Sequence, residues 1–238
     1  MNKYGINVSL IISVLLIISG CTDSITRNEQ DNTSWIFVAN EGNMGDSDGS
    51  ISMINDFGNV LEIKNVGDVV QSLEVYGDRL IVLVNGGETS DTTKSMVKIY
   101  TITEKELIPE ISISTNNSSP REMVIVNDNV YFTNWNTKDI KVLNLVSLTI
   151  ENFYDFDAIP EDIITDGSSL WISLPMLELY DYNNGTEVHK IDIATKLVTK
   201  YNVGRGPEKL TILNSEVYVS RKFFSMDWIA FHGVSIIG

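Results

Sequence analysis

The sequence predicts an all-β chain of four-stranded blades arranged as a β-propeller, and three observations carry that prediction. The first is the stretch 119–134. Pro120 opens it, the apolar run Met123 to Val126 follows, Asn127-Asp128-Asn129 supplies turn chemistry, and Val130-Tyr131-Phe132-Thr133 resumes with β-branched and aromatic residues. The second is its recurrence. Units starting at Val70, Pro120, Pro160 and Pro207 each reach a second strand ten positions later, at Leu80, Val130, Leu170 and Val217. The third is the period: successive units start 50, 40 and 47 residues apart, which is the spacing of propeller blades and leaves room for two more strands between units. After Cys21 no long segment carries apolar residues at helical spacing.

Taken in order, residues 1–20 have the build of a secretory signal peptide. Lys3 is the basic start, Ile6 to Ile18 is uncharged and apolar, and Ser19-Gly20 is the small-residue end. The apolar stretch is shorter than the roughly 20 residues a membrane-spanning helix needs. Ile18-Ser19-Gly20-Cys21 resembles a bacterial lipobox, so Cys21, the chain's one cysteine, is expected to be lipidated and to begin the mature protein. Residues 21–33 are polar and aperiodic and read as a flexible tether. Residues 34–238 are expected to form the propeller domain.

Within it, Trp35 to Asn40 matches the second strand of a blade, so blade one lacks an inner strand in sequence order and continues with Ser50 to Asn55 and Val60 to Lys64. Blade two is expected at Ser72 to Tyr76, Leu80 to Asn85, Met96 to Thr101 and Leu107 to Ile113. Blade three takes Glu122 to Val126, Val130 to Asn134, Ile140 to Leu145 and Leu148 to Tyr154. Blade four takes Asp162 to Thr165, Leu170 to Leu174, Val188 to Ile193 and Leu197 to Val203. Blade five begins with Lys209 to Leu213, Val217 to Arg221 and Val234 to Ile237, and its outer strand is not in the sequence. About four and a half blades are therefore expected, with unpaired strand edges that invite pairing or aggregation.

Tyr131-Phe132-Thr133-Asn134 resembles the Tyr-Val-Thr-Asn signature of the YVTN, or YncE-like, bacterial β-propellers, with Phe37-Val38-Ala39-Asn40 and Tyr218-Val219-Ser220-Arg221 as weaker copies. The resemblance covers nearly the whole chain after the signal. It implies a repeat that belongs to a seven-bladed ring, of which this sequence would be a truncated part, and a protein of the cell surface or periplasm. Lipoproteins of this kind include cobalamin-capture proteins beside outer-membrane transporters, so a nutrient-capture role with such a transporter as partner is an implied reading. Fold alone does not assign it.

Composition narrows the partners. The chain holds 17 Lys and Arg against 32 Asp and Glu; the first twenty residues include only Lys3 from these groups, leaving 16 against 32, a net of −16. That excess opposes binding to phosphate backbones, and no nucleic-acid partner is expected.

Loops that enter the inner strand and loops that join the second and third strands emerge on one face of a propeller. Here the second-to-third loops are long: 41–49, 86–94, 135–138, 175–185 and 222–233. Trp135, Tyr180, Tyr182, Phe223, Phe224 and Trp228 lie on them and could present flat surfaces to a ring-bearing or sugar-like ligand. Phe37, Tyr131, Trp171 and Tyr218 recur at one position of the second strand and are expected to pack between blades. Glu122 and Asp162 stand at the channel mouth, where carboxylates could hold a cation as in propeller lactonases. Lys209 and Ser72 interrupt that ring, so rim solvation is the expected role. Asp46-Ser47-Asp48-Gly49 is expected to be an ordinary turn, and His189 a solvated strand residue. No serine elbow, phosphate-binding glycine loop or Cys-His constellation is present, so no catalytic residue and no cofactor are expected. The leading expectation is a non-enzymatic, lipid-anchored, ligand-binding propeller of the cell envelope. A metal-dependent lactonase and a structural or adhesive surface protein remain as alternatives.

Overall fold

A computed structural model describes residues 34–86, 91 and 94–238. The signal, Cys21 and tether expectations fall outside the described residues, as does part of the loop 86–94.

The described chain is five antiparallel sheets in sequence order. Blade one is β1 (Trp35–Asn40), β2 (Gly49–Asn55) and β3 (Val60–Gly67). Blade two is β4 (Val69–Tyr76), β5 (Arg79–Asn85), β6 (Met96–Ile102) and β7 (Leu107–Ser114). Blade three is β8 (Pro120–Val126), β9 (Asn129–Asn134), β10 (Asp139–Asn144) and β11 (Thr149–Asp155). Blade four is β12 (Ile163–Thr165), β13 (Ser169–Leu174), β14 (Glu187–Asp192) and β15 (Val198–Asn202). Blade five is β16 (Pro207–Leu213), β17 (Glu216–Phe224) and β18 (Ala230–Ile237). Each sheet pairs neighbours in chain order, so the three complete blades and the two three-stranded ones follow the repeat.

Tight turns close the inner hairpins. Asn214 and Ser215 both hold positive φ between β16 and β17, at 51° and 68°, the conformation whose twist matches the flanking strands. Asn127 does the same work between β8 and β9, with φ 54°. The register of the inner hairpin shifts between Val70 and Ser72, between Pro120 and Met123, and between Pro207 and Leu210. A bulge therefore sits at the start of three inner strands, where it re-aims side chains.

The core is a series of seams. Alternation along the second strand sends Leu80, Val130, Leu170 and Val217 toward the preceding blade and Phe37, Ile81, Tyr131 and Trp171 toward the following one. One apolar cluster fills each of the four seams. Burying a side chain such as Leu170 stabilises the fold by about 1.5–3 kcal/mol. Tyr218 departs from the expectation of inter-blade packing. It is only half-buried, it points to the face of blade five opposite blade four, and its hydroxyl donates to Glu216.

A hydroxyl stitches the inner ends of the seams. Thr133 Oγ1 accepts from Glu122 N at 3.2 Å and donates to Glu161 O of the next blade at 2.7 Å. Ser173 Oγ repeats this, accepting from Asp162 N at 3.0 Å and donating to Glu208 O at 2.7 Å. Ser220 Oγ accepts from Lys209 N at 2.9 Å and stands exposed.

Candidate functional site

The residue one place after each repeat start is Gln71, Arg121, Glu161 or Glu208, and these side chains converge at the centre of the long-loop face. Arg121 donates from Nη1 to Gln71 Oε1 at 2.8 Å and grips Glu161 with two bonds, Nε at 3.1 Å and Nη2 at 2.9 Å. The fork geometry of guanidinium and carboxylate makes this a fixed pair, and Glu161 is only 7% exposed. Trp135 Nε1 donates to the same carboxylate at 2.8 Å, and the Arg121 guanidinium lies 4.1 Å from the Trp135 ring. The salt bridge thus holds an indole in place.

Above this base opens a cavity of about 200 Å³. Trp135, Tyr180, Tyr182, Phe224 and Trp228 line it, together with Arg121, Glu161 and Glu208. Tyr182 and Trp228 rings stand 4.8 Å apart, and Phe224 lies 5.6 Å from Trp228. The loop carrying Tyr180 and Tyr182 is tied to β17: Phe224 N donates to Tyr182 O at 3.0 Å, and Asn183 Nδ2 donates to Lys222 O at 2.8 Å. Gly185 closes it, where a Cβ would stand 2.1 Å from the Leu174 carbonyl oxygen.

Three of these aromatics hold a costly backbone. Tyr180, Tyr182 and Trp228 have φ of 60°, 62° and 59°, in a region bulky side chains rarely adopt. Strain of this kind persists where the surroundings over-determine it, and it clusters at binding sites.

Phe223 is a correction. Its expected place is the loop 222–233 with Phe224, but β17 extends through both residues, and neighbours on a strand point to opposite faces. Phe223 therefore stacks on Phe231 at 5.3 Å under the Arg205 guanidinium, outside the cavity.

Of the residues two places after each start, Glu122, Asp162 and Lys209 form a second group. Lys209 Nζ donates to Glu122 Oε1 and lies 3.8 Å from Asp162 Oδ1, so an ammonium stands between the two carboxylates offered as metal ligands. Asp162 also accepts from Leu210 N at 2.6 Å. Burial raises its pKa to about 6, against the opposing pull of that bond and of Lys209. Lys209 loses from burial but gains more from Glu122 and Asp162, and its pKa rises. Among the described residues no group of three or more His, Cys, Asp or Glu side chains is placed to share a metal ion. Asp48 accepts from Asn43 N and Nδ2 in a local turn.

His189 also departs from expectation. It is 5% exposed, with its ring 5.6 Å from Phe156 and its Nε2 2.7 Å from Glu187 Oε2.

No family model matches the chain, and no curated protein matches it in sequence. Solved structures do resemble it. A candidate 6-phosphogluconolactonase from Bacteroides fragilis is similar with a TM-score of 0.59 at 14% identity, covering 88% of this chain and 68% of that one. A chain of the nidogen/laminin complex matches with a TM-score of 0.56 at 12% identity, over 84% of this chain and 78% of that one. The fold is a β-propeller. The extracellular domain of a candidate one-component system of B. thetaiotaomicron matches at a TM-score of 0.50 and 12% identity, covering 82% of this chain and 29% of the other. At these identities the likeness speaks for the propeller architecture alone.

Proposed function

We propose that this propeller is a non-enzymatic binding protein of the cell envelope, anchored through lipidated Cys21, that takes a ring-bearing ligand in the central cavity of its long-loop face. The observation that carries the reading is the cavity itself. Five aromatic side chains from three separate loops and a strand end converge on it, and three of them do so from a left-handed backbone. A partly buried Arg121–Glu161 pair supplies a fixed polar floor. Flat apolar walls with a few oriented polar groups suit a glycan or a corrin-type ring better than an extended peptide. The cobalamin-type ligand and an outer-membrane transporter as partner come from the YncE-like resemblance.

The test is calorimetric affinity for cobalamin and for a panel of glycans, in the parent and in a Trp135→Ala, Tyr182→Ala double variant. Stacking on such rings contributes about 0.5–1.5 kcal/mol each beyond area burial, so affinity should fall roughly tenfold to a hundredfold. A ligand untouched by this pair, yet lost on altering the short-turn face at Asp78 or Asp128, would place the site on the wrong side of the ring. For the anchor, Cys21→Ser should leave an unprocessed or soluble product. Retention of a cleaved mutant in the detergent-extracted membrane fraction would overturn that assignment.

A further inference from the structure

A second cavity, of about 220 Å³, lies on the seam between blades three and four, and shares no residue with the central one. Its wall is aromatic. Tyr154 and Phe156 meet edge to face at 5.0 Å, and Phe156 in turn lies 5.6 Å from the His189 ring.

Its charge is lopsided. Asp155 and Asp157, exposed at the rim, and the partly buried Glu187 contribute three carboxylates against one ammonium, that of Lys200. Lys200 Nζ is 3.9 Å from Glu187 Oε2 and more than half exposed, so it offsets the excess only weakly. His189 adds no positive charge to balance it, because burial holds its pKa below the ordinary histidine value despite the Glu187 bond.

The buried ring also has an unfilled polar atom. Nε2 meets Glu187 at 2.7 Å, which places the ring proton there and leaves Nδ1 as a bare acceptor. That Nδ1 is buried and has no hydrogen-bond partner. His189 lines the cavity and is 5% exposed, so its buried ring carries an acceptor that no donor fills.

We propose that this cavity is a binding site for a small organic ammonium ion, a protonated amine carrying an apolar or aromatic body. Ring faces attract a cation through their quadrupoles, and the effect grows as the cation is desolvated. The carboxylates accept its N–H bonds and neutralise it, which a neutral or anionic ligand of the same shape cannot exploit. The volume sits below the usual range for drug-sized ligands, so the body is a single ring or a short chain.

The experiment is calorimetry on the full chain in detergent at neutral pH, with phenethylammonium, its neutral analogue phenethyl alcohol and the anion phenylacetate. Phenethylammonium should bind at least tenfold more tightly than either analogue. Glu187→Gln should weaken it by about tenfold, and Trp135→Ala, which alters the central cavity, should leave it unchanged. A thermal melt of each variant separates lost folding from lost binding, and the ligand series on the parent protein needs no variant at all. Equal affinity for the three ligands, absence of binding at millimolar concentration, or binding that follows Trp135 instead of Glu187 would each overturn the proposal. The outcome at Trp135 also keeps this site's failure distinct from that of the central cavity.

Discussion

Ile36, Leu80, Val130, Leu170 and Val217 occupy one position of the repeat and meet two different environments. Leu80, Val130 and Leu170 are fully buried and Val217 is 3% exposed, each in the seam with the preceding blade, whereas Ile36 is 65% exposed. The neighbouring position repeats the lesson from the other side: Tyr131 and Trp171 are buried against the following blade, while Tyr218 stands on an open face with Leu213, Val234 and Ile236 exposed around it. The residue types hardly differ between the two environments. What differs is whether another blade lies against the sheet, so burial here is a property of the seam and not of the strand. Large exposed apolar residues gathered on two sheet faces mark surfaces suited to further packing.

The contrast is most easily broken at its strongest point. Leu170→Ala should destabilise the fold by about 2–5 kcal/mol, since it removes a fully enclosed side chain and leaves a cavity. Chemical denaturation measures this directly, and a cost under 1 kcal/mol would mean the seams are not what holds the blades together.

The hydroxyl stitch comes next in size. Thr133→Val keeps the shape but leaves the Glu122 N–H and the Glu161 carbonyl without the partner they share, at a cost of about 1–3 kcal/mol. Ser220→Ala, at the same repeat position on the open face, should cost less than half as much in the same assay. Equal costs would show that the bond across the seam adds nothing beyond the bond within the blade.

A third test uses pH. Burial holds Asp162 near 6, above its unfolded value of about 3.9, so the native state binds the proton more tightly and this group's contribution favours folding at low pH. That contribution fades as pH rises through 6. Asp162→Asn should therefore flatten the decline in stability between about pH 4 and pH 6.5, measured by denaturant titration at each pH. A parent protein whose stability climbs over that window for reasons the variant leaves intact would contradict the assignment to Asp162.

The smallest effect is expected at the open faces. Ile36→Ala and Tyr218→Ala should each change stability by no more than about 0.5 kcal/mol. A loss comparable to that of Leu170→Ala would show that these faces are covered in solution.

Much of the architecture was legible in the chain because a repeat states its register many times over. The ten-residue offset located the second strands of blades two to five, and recurrence at one position of that strand marked Phe37, Tyr131 and Trp171 as packing between blades. Five of the six aromatics chosen from the long loops do meet in one cavity. Phe223 failed because the face a residue takes depends on where its strand ends, and β17 runs three residues further than its apolar pattern. His189 failed for a related reason: a polar residue on a third strand reads as solvated until the loop bearing Phe156 is laid across it.

The sequence by itself determined the blades, their order and the side of the ring on which aromatic loops accumulate, since period-two alternation and turn chemistry are local properties. Only the tertiary structure decided which polar groups meet. Gln71, Arg121, Glu161 and Glu208 share a repeat position, but their convergence needs the blades to be fanned around a centre and three of the four inner strands to be bulged at their starts. The same holds for Lys209, which lies 87 residues from Glu122 along the chain and in contact with it in space. Contacts of that range depend on how sheets stack, and no periodicity within a strand encodes the angle between one blade and the next.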